Sequence, residues 1–403
     1  MGGSCGASVT LLIGCVIICC CWCCVDVNGC VEEERRALLD IKHSLDSVGY
    51  DPTVLEDWVG GGDCCNWTGV ECDAYRAVSK IDLSFVRLGF SQEWYPNASL
   101  FGQFTELKEI DLYYNGIAGW LNPQDIWHLQ KVQLLDLTHN NLNDESIARL
   151  IVPWIHNLTS LFELDLGWNN LKEIRWISNI TSLSSLDLSS TQIKDFSDLC
   201  QLQDLQDLDL SYNSMKGNID TCLKRSIPIS LFNSSNIMLL DIRKNFFSGP
   251  IPNSFQYLEN IESLDLSNNN LSGEIPSQLD QLHSLSVFRV SYNNLSGFIP
   301  YNIQLCTFNK SSFEGNPGLS GELLIEKKCW SMHGTSQTYH DSSDGDHEDT
   351  SKDIDNDVIF YSFVAASFAI GFWGVIAVLA FNKNGRIKFF MAVDYFLYAR
   401  MDV

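Results

Sequence analysis

The chain has 403 residues, of which 45% are hydrophobic and 19% are charged, so it can bury a large core. Its formal net charge of −24 argues against a nucleic-acid partner, because phosphate binding needs clustered Lys and Arg and the sequence has no such run. It also has no recognisable Ser/His/Asp constellation, metal-ligand spacing or phosphate loop, so we expect neither an enzyme nor a cofactor.

An apolar run occupies residues 9 to 27. Its length and position are typical of the hydrophobic region of a secretory signal, so we predict a signal peptide over residues 1–29. The run lacks a basic leading segment and a clean small-residue cleavage site, and an uncleaved anchor is the alternative. After the signal the chain carries an even set of cysteines, which suits disulfides in an oxidising compartment. They are Cys30, Cys64, Cys65, Cys72, Cys200, Cys222, Cys306 and Cys329.

Asn-X-Ser/Thr sequons recur along the chain, and all of them precede residue 358. They predict N-glycosylation, and therefore an extracellular location, for the part of the chain that carries them. The candidate sites are Asn66, Asn97, Asn157, Asn179, Asn233, Asn270, Asn294 and Asn309.

Residues 358–381 form an uncharged apolar segment that is long enough to cross a bilayer as a tilted helix. Lys383, Arg386 and Lys388 follow it directly, and by the positive-inside rule they place the carboxyl terminus in the cytosol. We therefore predict a single-pass type I protein of the plasma membrane with its amino terminus outside the cell. The tail at 382–403 is too short to fold into a kinase.

The middle of the chain repeats one template, Leu-x-x-Leu-x-Leu-x-x-Asn-x-Leu, in nine registers. Alternate leucines of its strand portion point to one side, so stacked repeats bury them and pair their strands into a parallel sheet. The asparagine suits a sharp turn, where its side-chain amide can satisfy backbone groups of neighbouring coils. This template column falls at Val86, Asn115, Asn140, Asn169, Thr191, Asn213, Asn245, Asn269 and Asn293.

The motif Ser-Gly-x-Ile-Pro follows the last three column positions, as SGPIP, SGEIP and SGFIP. We expect its Gly and Pro residues to turn the chain and not to extend a sheet ladder. This form, with its 24-residue spacing, resembles the plant-specific class of leucine-rich repeats. The segments CVEEERRALLDIKHSL and DWVGGGDCCNWTGVEC resemble the amino-terminal cap of plant repeat proteins, and FEGNPGLSGELLIEKKC resembles the carboxyl-terminal cap of plant receptor-like proteins.

Over its whole length the chain resembles a plant leucine-rich-repeat receptor-like protein. The resemblance implies an α/β solenoid, a right-handed leucine-rich-repeat horseshoe with a parallel β-sheet on the concave face and disulfide-bonded caps, plus one transmembrane helix. The implied segments are a cap at 30–77, about nine repeats at 78–304, a second cap at 305–330, an acidic stalk at 331–357, the span at 358–381 and the tail at 382–403. The implied disulfides join Cys30 to Cys64 and Cys65 to Cys72. The family's usual cysteine after Gly-Leu is Ser320 here, which leaves Cys306 as the candidate partner of Cys329.

Members of this family perceive extracellular peptides, microbial molecules or parasite factors and recruit receptor kinases. The resemblance thus implies a cell-surface receptor in defence or development. Its partners would be an extracellular peptide, protein or glycan, the lipid bilayer and membrane-anchored leucine-rich-repeat receptor kinases. The array is shorter than usual and lacks the family's non-repeat island, and the interval between Asn213 and Asn245 resembles a junction of lost coils. A truncated, non-signalling decoy is therefore one alternative. An inhibitor of cell-wall-degrading enzymes is another, although an inhibitor needs no span.

Cys200 and Cys222 each lie nine residues after their template positions, Thr191 and Asn213. Equivalent positions on stacked coils lie about 5 Å apart, within the Cα range of a disulfide. We predict that bond, and two free buried cysteines are the alternative.

Two sets of side chains face outward from the predicted sheet. Aspartates four residues before the template positions form a ladder that ends in Arg289. We expect this ladder to be structural and solubilising and not catalytic, although its carboxylates should raise one another's pKa and can bind basic peptides. Its members are Asp82, Asp111, Asp136, Asp165, Asp187, Asp209, Asp241 and Asp265. The aromatic side chains one or two places before the template position are candidate ligand contacts, and the alternative is that they only cover neighbouring coils. They are Phe85, Tyr113, Tyr114, His139, Trp168 and Tyr212.

The membrane-proximal segments carry two further predictions. Acidic residues crowd positions 341–357, which should keep the stalk extended and disordered, either as a solvated spacer or as a docking segment for a basic stretch of a kinase. In the span, Ala365 with Ala369 and Ser367 with Gly371 form two ridges of small residues. Small residues let a second helix approach closely, so we predict that these ridges hold a partner, although Gly and Ala are common in any span.

Overall fold

The computed structural model describes residues 30–87, 92–154, 158–202, 204–219, 236–300 and 305–320. The predicted signal peptide at 1–29, stalk at 331–357, span at 358–381 and tail at 382–403 lie outside these residues. Among the described helices, none is both long enough and apolar enough to cross a membrane.

An amphipathic helix, α1 (Glu32–Asp46), opens the described chain. Its buried side chains recur every three or four residues, so they form one stripe on the face that covers the first coil. They are Ala37, Leu38, Ile41 and Leu45. Glu34 lies on the same buried face and accepts a hydrogen bond of 2.9 Å from the backbone amide of Val78. The helix therefore closes the open end of the repeat core.

Two disulfides hold the loop that follows α1. Cys30 is bonded to Cys64, with Cα atoms 5.6 Å apart, and Cys65 is bonded to Cys72, with Cα atoms 5.4 Å apart. These are the pairings that the resemblance implied. The other predicted disulfides cannot be followed in the same way, because Cys222, Cys329 and the side chains of Cys200 and Cys306 lie outside the described part of the chain.

The main sheet has ten strands within the described residues. Strand β1 (Val70–Cys72) pairs antiparallel with β2 (Val78–Asp82), and every later strand pairs in parallel with the one before it. The later strands are β3 (Glu109–Asp111), β4 (Leu134–Asp136), β5 (Glu163–Asp165), β6 (Ser185–Asp187), β7 (Asp207–Asp209), β9 (Leu239–Asp241), β11 (Ser263–Asp265) and β13 (Val287–Arg289). These nine parallel strands match the nine template registers, so the predicted solenoid is confirmed.

A second, five-stranded sheet runs beside the first in the carboxyl-terminal coils. Its strands are β8 (Lys216–Gly217), β10 (Phe246–Gly249), β12 (Asn270–Gly273), β14 (Asn294–Phe298) and β15 (Gly318–Ser320). The expectation that the Ser-Gly-x-Ile-Pro motif cannot extend a ladder is therefore wrong for its Ser-Gly part, because Gly249 pairs with Leu271 and Gly273 pairs with Leu295. Both glycines have φ above +80°, a conformation that side chains rarely adopt.

Helical segments connect the strands on the convex side. The α-helices are α2 (Ala98–Phe101) and α3 (Asp144–Trp154), and 3₁₀ segments connect the strands of other coils. The 3₁₀ segments are Cys64–Asn66, Pro123–His128, Arg175–Asn179, Ser197–Gln201, Asn253–Tyr257, Ser277–Gln281, Leu305–Thr307 and Lys310–Ser312. The core lies between these segments and the sheet, and the template leucines such as Leu135, Leu164 and Leu186 are at most 1% exposed there.

The asparagine column joins neighbouring coils as predicted. The Asn169 amide nitrogen donates to the carbonyl oxygens of Leu166 (3.0 Å) and Gly167 (3.2 Å) in its own coil and of Leu137 (2.9 Å) in the coil before. Its amide oxygen accepts a hydrogen bond of 3.0 Å from the Leu142 backbone. One side chain thus satisfies backbone groups that would otherwise be buried without partners.

Asn316 in the carboxyl-terminal cap is a further member of this column, outside the nine predicted registers. Its amide nitrogen donates to the Val290 carbonyl oxygen at 2.9 Å, and its amide oxygen accepts from the Leu295 amide at 3.0 Å. The sequence carried two signals for it, Phe308 and Phe313, which lie eight and three residues before Asn316 as the template requires, but Ser311 stands where the template has its middle apolar residue.

The main sheet is continuous where lost coils were suspected. Asp207 lies opposite Leu239, and Asp209 lies opposite Asp241, so β7 and β9 pair directly in register. Residues 220–235, which make up much of this interval, lie outside the described part of the chain.

Candidate ligand-binding surface

The residue just before each template position adopts a left-handed backbone conformation. Phe85, Tyr114, His139, Trp168 and Tyr212 have φ between 55° and 56°. Each backbone amide still extends the ladder to the next coil, as when His139 donates to the Gly167 carbonyl oxygen at 2.9 Å and Trp168 donates to that of Ser189 at 2.8 Å. The turn therefore holds these side chains in a fixed direction at the edge of the concave sheet.

Five of the six predicted aromatic residues form a continuous row, which we call the aromatic stripe: Phe85, Tyr113, Tyr114, His139 and Trp168. The rings of Phe85 and Tyr113 meet edge-on with their centroids 4.5 Å apart. The rings of Tyr113 and His139 also meet edge-on, with their centroids 5.3 Å apart. The His139 and Trp168 rings stack at 4.5 Å with an interplanar angle of 12°. Trp168 ends the stripe and is 39% exposed. The rings thus cover their neighbours and still present a surface.

Tyr212, the sixth candidate, lies apart from the stripe because Ser190 occupies the intervening position. Its ring instead lies 5.6 Å from the guanidinium carbon of Arg243 and 5.3 Å from the ammonium nitrogen of Lys244. The surface therefore changes from aromatic to cationic along the array.

The imidazole of His139 is half-buried between its aromatic neighbours. Burial lowers the pKa of His139 to about 4, because a charged ring would lose its hydration there. The ring is therefore neutral at any pH above about 5, and the stripe carries no positive charge of its own.

The aspartates of the ladder stand side by side in register. Asp136 lies opposite Asp165, Asp165 opposite Asp187 and Asp187 opposite Asp209. Burial, followed by the neighbouring carboxylates, raises the pKa of Asp165 to about 8. Burial also raises the pKa of Asp187 to about 6, with a smaller contribution from Asp209. The predicted mutual effect is thus present at these residues, but loss of hydration is the larger cause.

Two arginines face the ladder in the carboxyl-terminal coils. Nε of Arg243 lies 3.3 Å from Oδ2 of Asp241, and its Nη1 lies 3.9 Å from Oδ2 of Asp265. Arg289, at the end of the ladder, lies 3.3 Å from the same Asp265 oxygen. We call the contacts of Arg243 with Asp241, Asp265 and Tyr212 the Arg243 clamp.

The predicted glycosylation sites differ in exposure. Asn66, Asn179, Asn270, Asn294 and Asn309 are exposed. Asn97 is half-buried, and its side-chain oxygen accepts a hydrogen bond of 3.1 Å from the Ser99 amide at the start of α2.

Several predicted sites cannot be placed. Asn157 and Asn233, together with the packing residues Ala365, Ala369, Ser367 and Gly371, lie outside the described residues.

Three family models match parts of the chain. A leucine rich repeat N-terminal domain matches residues 31–73, and leucine rich repeats match residues 128–150 and 225–296. In its described part, the chain has the fold of a leucine-rich-repeat solenoid. The repeats matched by these models carry β4, the first part of α3 and the strands from β9 to β13. The N-terminal domain coincides with the disulfide-bonded cap.

Similar proteins come from plants. Receptor-like protein 9a of Arabidopsis thaliana is 31% identical over 151 residues, which make up 36% of this chain and 15% of that protein. The match thus spans far less than two thirds of the relative, but it confirms the predicted resemblance to plant leucine-rich-repeat receptor-like proteins.

Two solved plant ectodomains share the fold. The leucine-rich-repeat ectodomain of the Arabidopsis thaliana receptor kinase GASSHO1/SCHENGEN3, in complex with CASPARIAN STRIP INTEGRITY FACTOR 2, aligns with a TM-score of 0.51 and 29% identity over 68% of this chain and 31% of its own. The Arabidopsis receptor kinase HAESA, in complex with the peptide hormone IDA and the co-receptor SERK1, aligns with a TM-score of 0.54 and 26% identity over 67% of this chain and 47% of its own.

Proposed function

We propose that this chain is a cell-surface recognition receptor and that it binds an extracellular peptide on the concave face. The aromatic stripe carries this proposal. Its rings are fixed by the sheet and by one another, so a ligand would meet a preformed apolar surface with little loss of side-chain freedom. The ectodomains of GASSHO1/SCHENGEN3 and HAESA, which share the fold, are bound to CASPARIAN STRIP INTEGRITY FACTOR 2 and to the peptide hormone IDA.

We further propose that the protein lies in the plasma membrane as a glycosylated type I protein and signals through leucine-rich-repeat receptor kinases in defence or development. The uncharged segment at 358–381 and the sequons support the location. The HAESA complex, which contains the co-receptor SERK1, supports the choice of partner class. Within the span, the ridges of Ala365, Ala369, Ser367 and Gly371 are the proposed contact surface.

Peptide capture tests the concave face directly. The full-length chain in detergent would be incubated with a peptide fraction from plant extracellular fluid, and the retained peptides would be identified by mass spectrometry. Trp168→Ala should reduce retention by about tenfold, because it removes the exposed end of the stripe.

Tyr257→Ala is the matched control, since Tyr257 is 54% exposed but lies in a convex-side 3₁₀ segment. Retention that falls equally in both variants, or in neither, would contradict a binding site on the stripe.

A further inference from the structure

The Arg243 clamp shows how this sheet holds a guanidinium group. Three coils contribute to it: Asp241 from the coil of Arg243 itself, Asp265 from the next coil and the Tyr212 ring from the coil before. Asp265 has a side chain that is only 5% exposed, so its charge needs a cation nearby. The clamp is thus a guanidinium site made from two ladder carboxylates and one aromatic ring.

The same three positions recur in the coil of Asn169. Asp165 takes the place of Asp241, Asp187 that of Asp265, and His139 that of Tyr212. The position of Arg243 itself is taken by Gly167, two residues before the template asparagine in both coils. This coil therefore has the carboxylates and the ring of the clamp without the arginine that would fill it.

The side chains of Asp187 and Ser189 lie close to Gly167. Oδ2 of Asp187 lies 2.7 Å from the point that a Cβ atom on Gly167 would occupy, and Oγ of Ser189 lies 2.8 Å from the same point. The Asp187 carboxylate thus leans over Gly167. In the described chain, no Lys or Arg forms an ion pair with Asp165 or Asp187, whereas Asp241 and Asp265 both have one.

We propose that Asp165, Asp187 and the ring of His139 bind the guanidinium of an arginine side chain of an extracellular peptide above Gly167, in the arrangement in which Asp241, Asp265 and Tyr212 bind Arg243. This inference rests on the proposed peptide-binding function and adds the chemistry of the ligand. The neutral His139 ring does not repel a cation, and its stacking on Trp168 provides an aromatic wall for the arginine side chain.

The acidic surroundings make such binding depend on pH. The titratable groups around Asp165 are Glu163 on β5, Asp111 and Asp136 on β3 and β4, and Asp187 on β6. Asp209 on β7 acts on Asp187, and His139 is neutral above pH 5. Because the pKa values of Asp165 and Asp187 are about 8 and about 6, an incoming guanidinium must displace protons near neutral pH. Arginine binding is therefore expected to tighten as the pH rises from 5 to 8.

The probe is the pentapeptide acetyl-Gly-Gly-Arg-Gly-Gly-amide, compared with the same peptide carrying citrulline, the neutral isostere of arginine. Calorimetry on the full-length chain in detergent should give affinity for the arginine peptide about tenfold higher than for the citrulline peptide, because a charge-assisted pair is lost in the latter. Proton release should accompany binding at pH 7. Asp165→Asn should remove the preference for arginine.

A matched control separates this site from general attraction by a chain of net charge −24. Glu145→Gln makes the same change in charge on the convex helix α3 and should leave the preference intact. Three results would overturn the proposal. The unsubstituted chain could show no preference for the arginine peptide over the citrulline peptide, the preference could survive Asp165→Asn, or it could fall equally in Glu145→Gln.

A second variant tests the geometry independently of affinity. Gly167→Arg should fill the site with an internal guanidinium, since Gly167 is not in the left-handed region and its close neighbours are side-chain ends that can rotate. It should abolish arginine-peptide binding and melt at a higher temperature than Gly167→Gln, which adds bulk without charge. Equal melting temperatures would contradict a guanidinium site.

The peptide-capture experiment distinguishes this inference from the proposed function. If the stripe retains peptides without enrichment in arginine, the function stands and the guanidinium site is wrong. If Trp168→Ala retains as much peptide as the unsubstituted chain, the proposed function itself is wrong.

Discussion

At the residue scale, most coils of the column bury one polar asparagine side chain, and hydrogen bonds to the backbone compensate for its lost hydration. Asn169 is 5% exposed, and its amide contacts backbone groups of two coils. Asn169→Ala should destabilise the protein by about 1–3 kcal/mol, because it leaves buried carbonyl and amide groups without partners. The loss would be measured as a lower midpoint in denaturant.

Threonine provides the matched comparison, because the column already contains one. The Thr191 hydroxyl lies 2.9 Å from the Leu188 carbonyl oxygen and 2.7 Å from Oδ1 of Asn213, so it serves part of the asparagine's role. Asn169→Thr should therefore lose less stability than Asn169→Ala. An equal loss in the two variants would mean that a threonine hydroxyl replaces none of the hydrogen bonds of the asparagine amide at this position.

The sequence predicted which side chains are buried and which face outward, because the repeat period determines both. It did not predict contacts between side chains of neighbouring coils. The template placed the buried leucines and the outward aromatic residues, since a strand has a period of two. It could not show the ring contacts that join the stripe, nor the ion pairs that Arg243 forms with Asp241 and Asp265, because these depend on side-chain conformations in neighbouring coils. The left-handed backbone at Trp168 and its equivalents was also missed, because positive φ is uncommon outside glycine.

At the element scale, the amino-terminal cap depends on two disulfides of very different span. Cys30 and Cys64 are 34 residues apart in sequence, whereas Cys65 and Cys72 are 7 apart. The longer closed loop restricts the unfolded chain more, so loss of the first bond should cost about 1–2 kcal/mol more than loss of the second. The comparison is Cys30→Ser with Cys64→Ser against Cys65→Ser with Cys72→Ser, read out as thermal stability.

The outcome also reports on the cap's role. If the first pair of substitutions destabilises the protein no more than the second pair, chain entropy does not dominate and local packing of the loop is the better explanation.

The connecting helices differ for a reason that spacing could have indicated. The interval from Asn140 to Asn169 is 29 residues and contains α3, whereas the interval from Thr191 to Asn213 is 22 residues and contains the 3₁₀ segment Ser197–Gln201. A longer coil has room for a full α-helix, and a shorter one has room only for the tighter 3₁₀ form. The second sheet was not predicted, because the Ser-Gly residues that pair in it were expected to turn the chain and not to extend a ladder.

At the scale of the whole molecule, buried carboxylates make stability depend on pH. Burial raises the pKa of Glu34 and of Asp241 to about 7, and that of Asp165 to about 8. In the unfolded chain the same groups titrate near pH 4, so unfolding between pH 4 and pH 8 releases protons and a rising pH favours the unfolded chain. The protein should therefore be more stable at pH 5 than at pH 8, by at least about 1 kcal/mol.

Thermal unfolding at the two pH values measures this difference. Glu34→Gln should reduce the difference in stability between pH 5 and pH 8, because glutamine can still accept the Val78 hydrogen bond but never ionises. Exposed Glu145, changed to Gln, is the control and should leave the difference unchanged. A protein that is less stable at pH 5 than at pH 8 would show that these carboxylates are not held in their protonated form.

The one-dimensional arrangement of the coils has a mechanical consequence. The hydrogen bonds of the main sheet run along the solenoid axis, and each strand pairs only with the strands beside it. A force that pulls the chain ends apart would act on the hydrogen bonds of one coil at a time, so the coils would unfold one after another. Each 24-residue coil between Asn245, Asn269 and Asn293 would then release about 80 Å of chain. Because the Cys30–Cys64 and Cys65–Cys72 bonds hold the amino-terminal cap, the coils around Trp168 would be opened only from the carboxyl-terminal side.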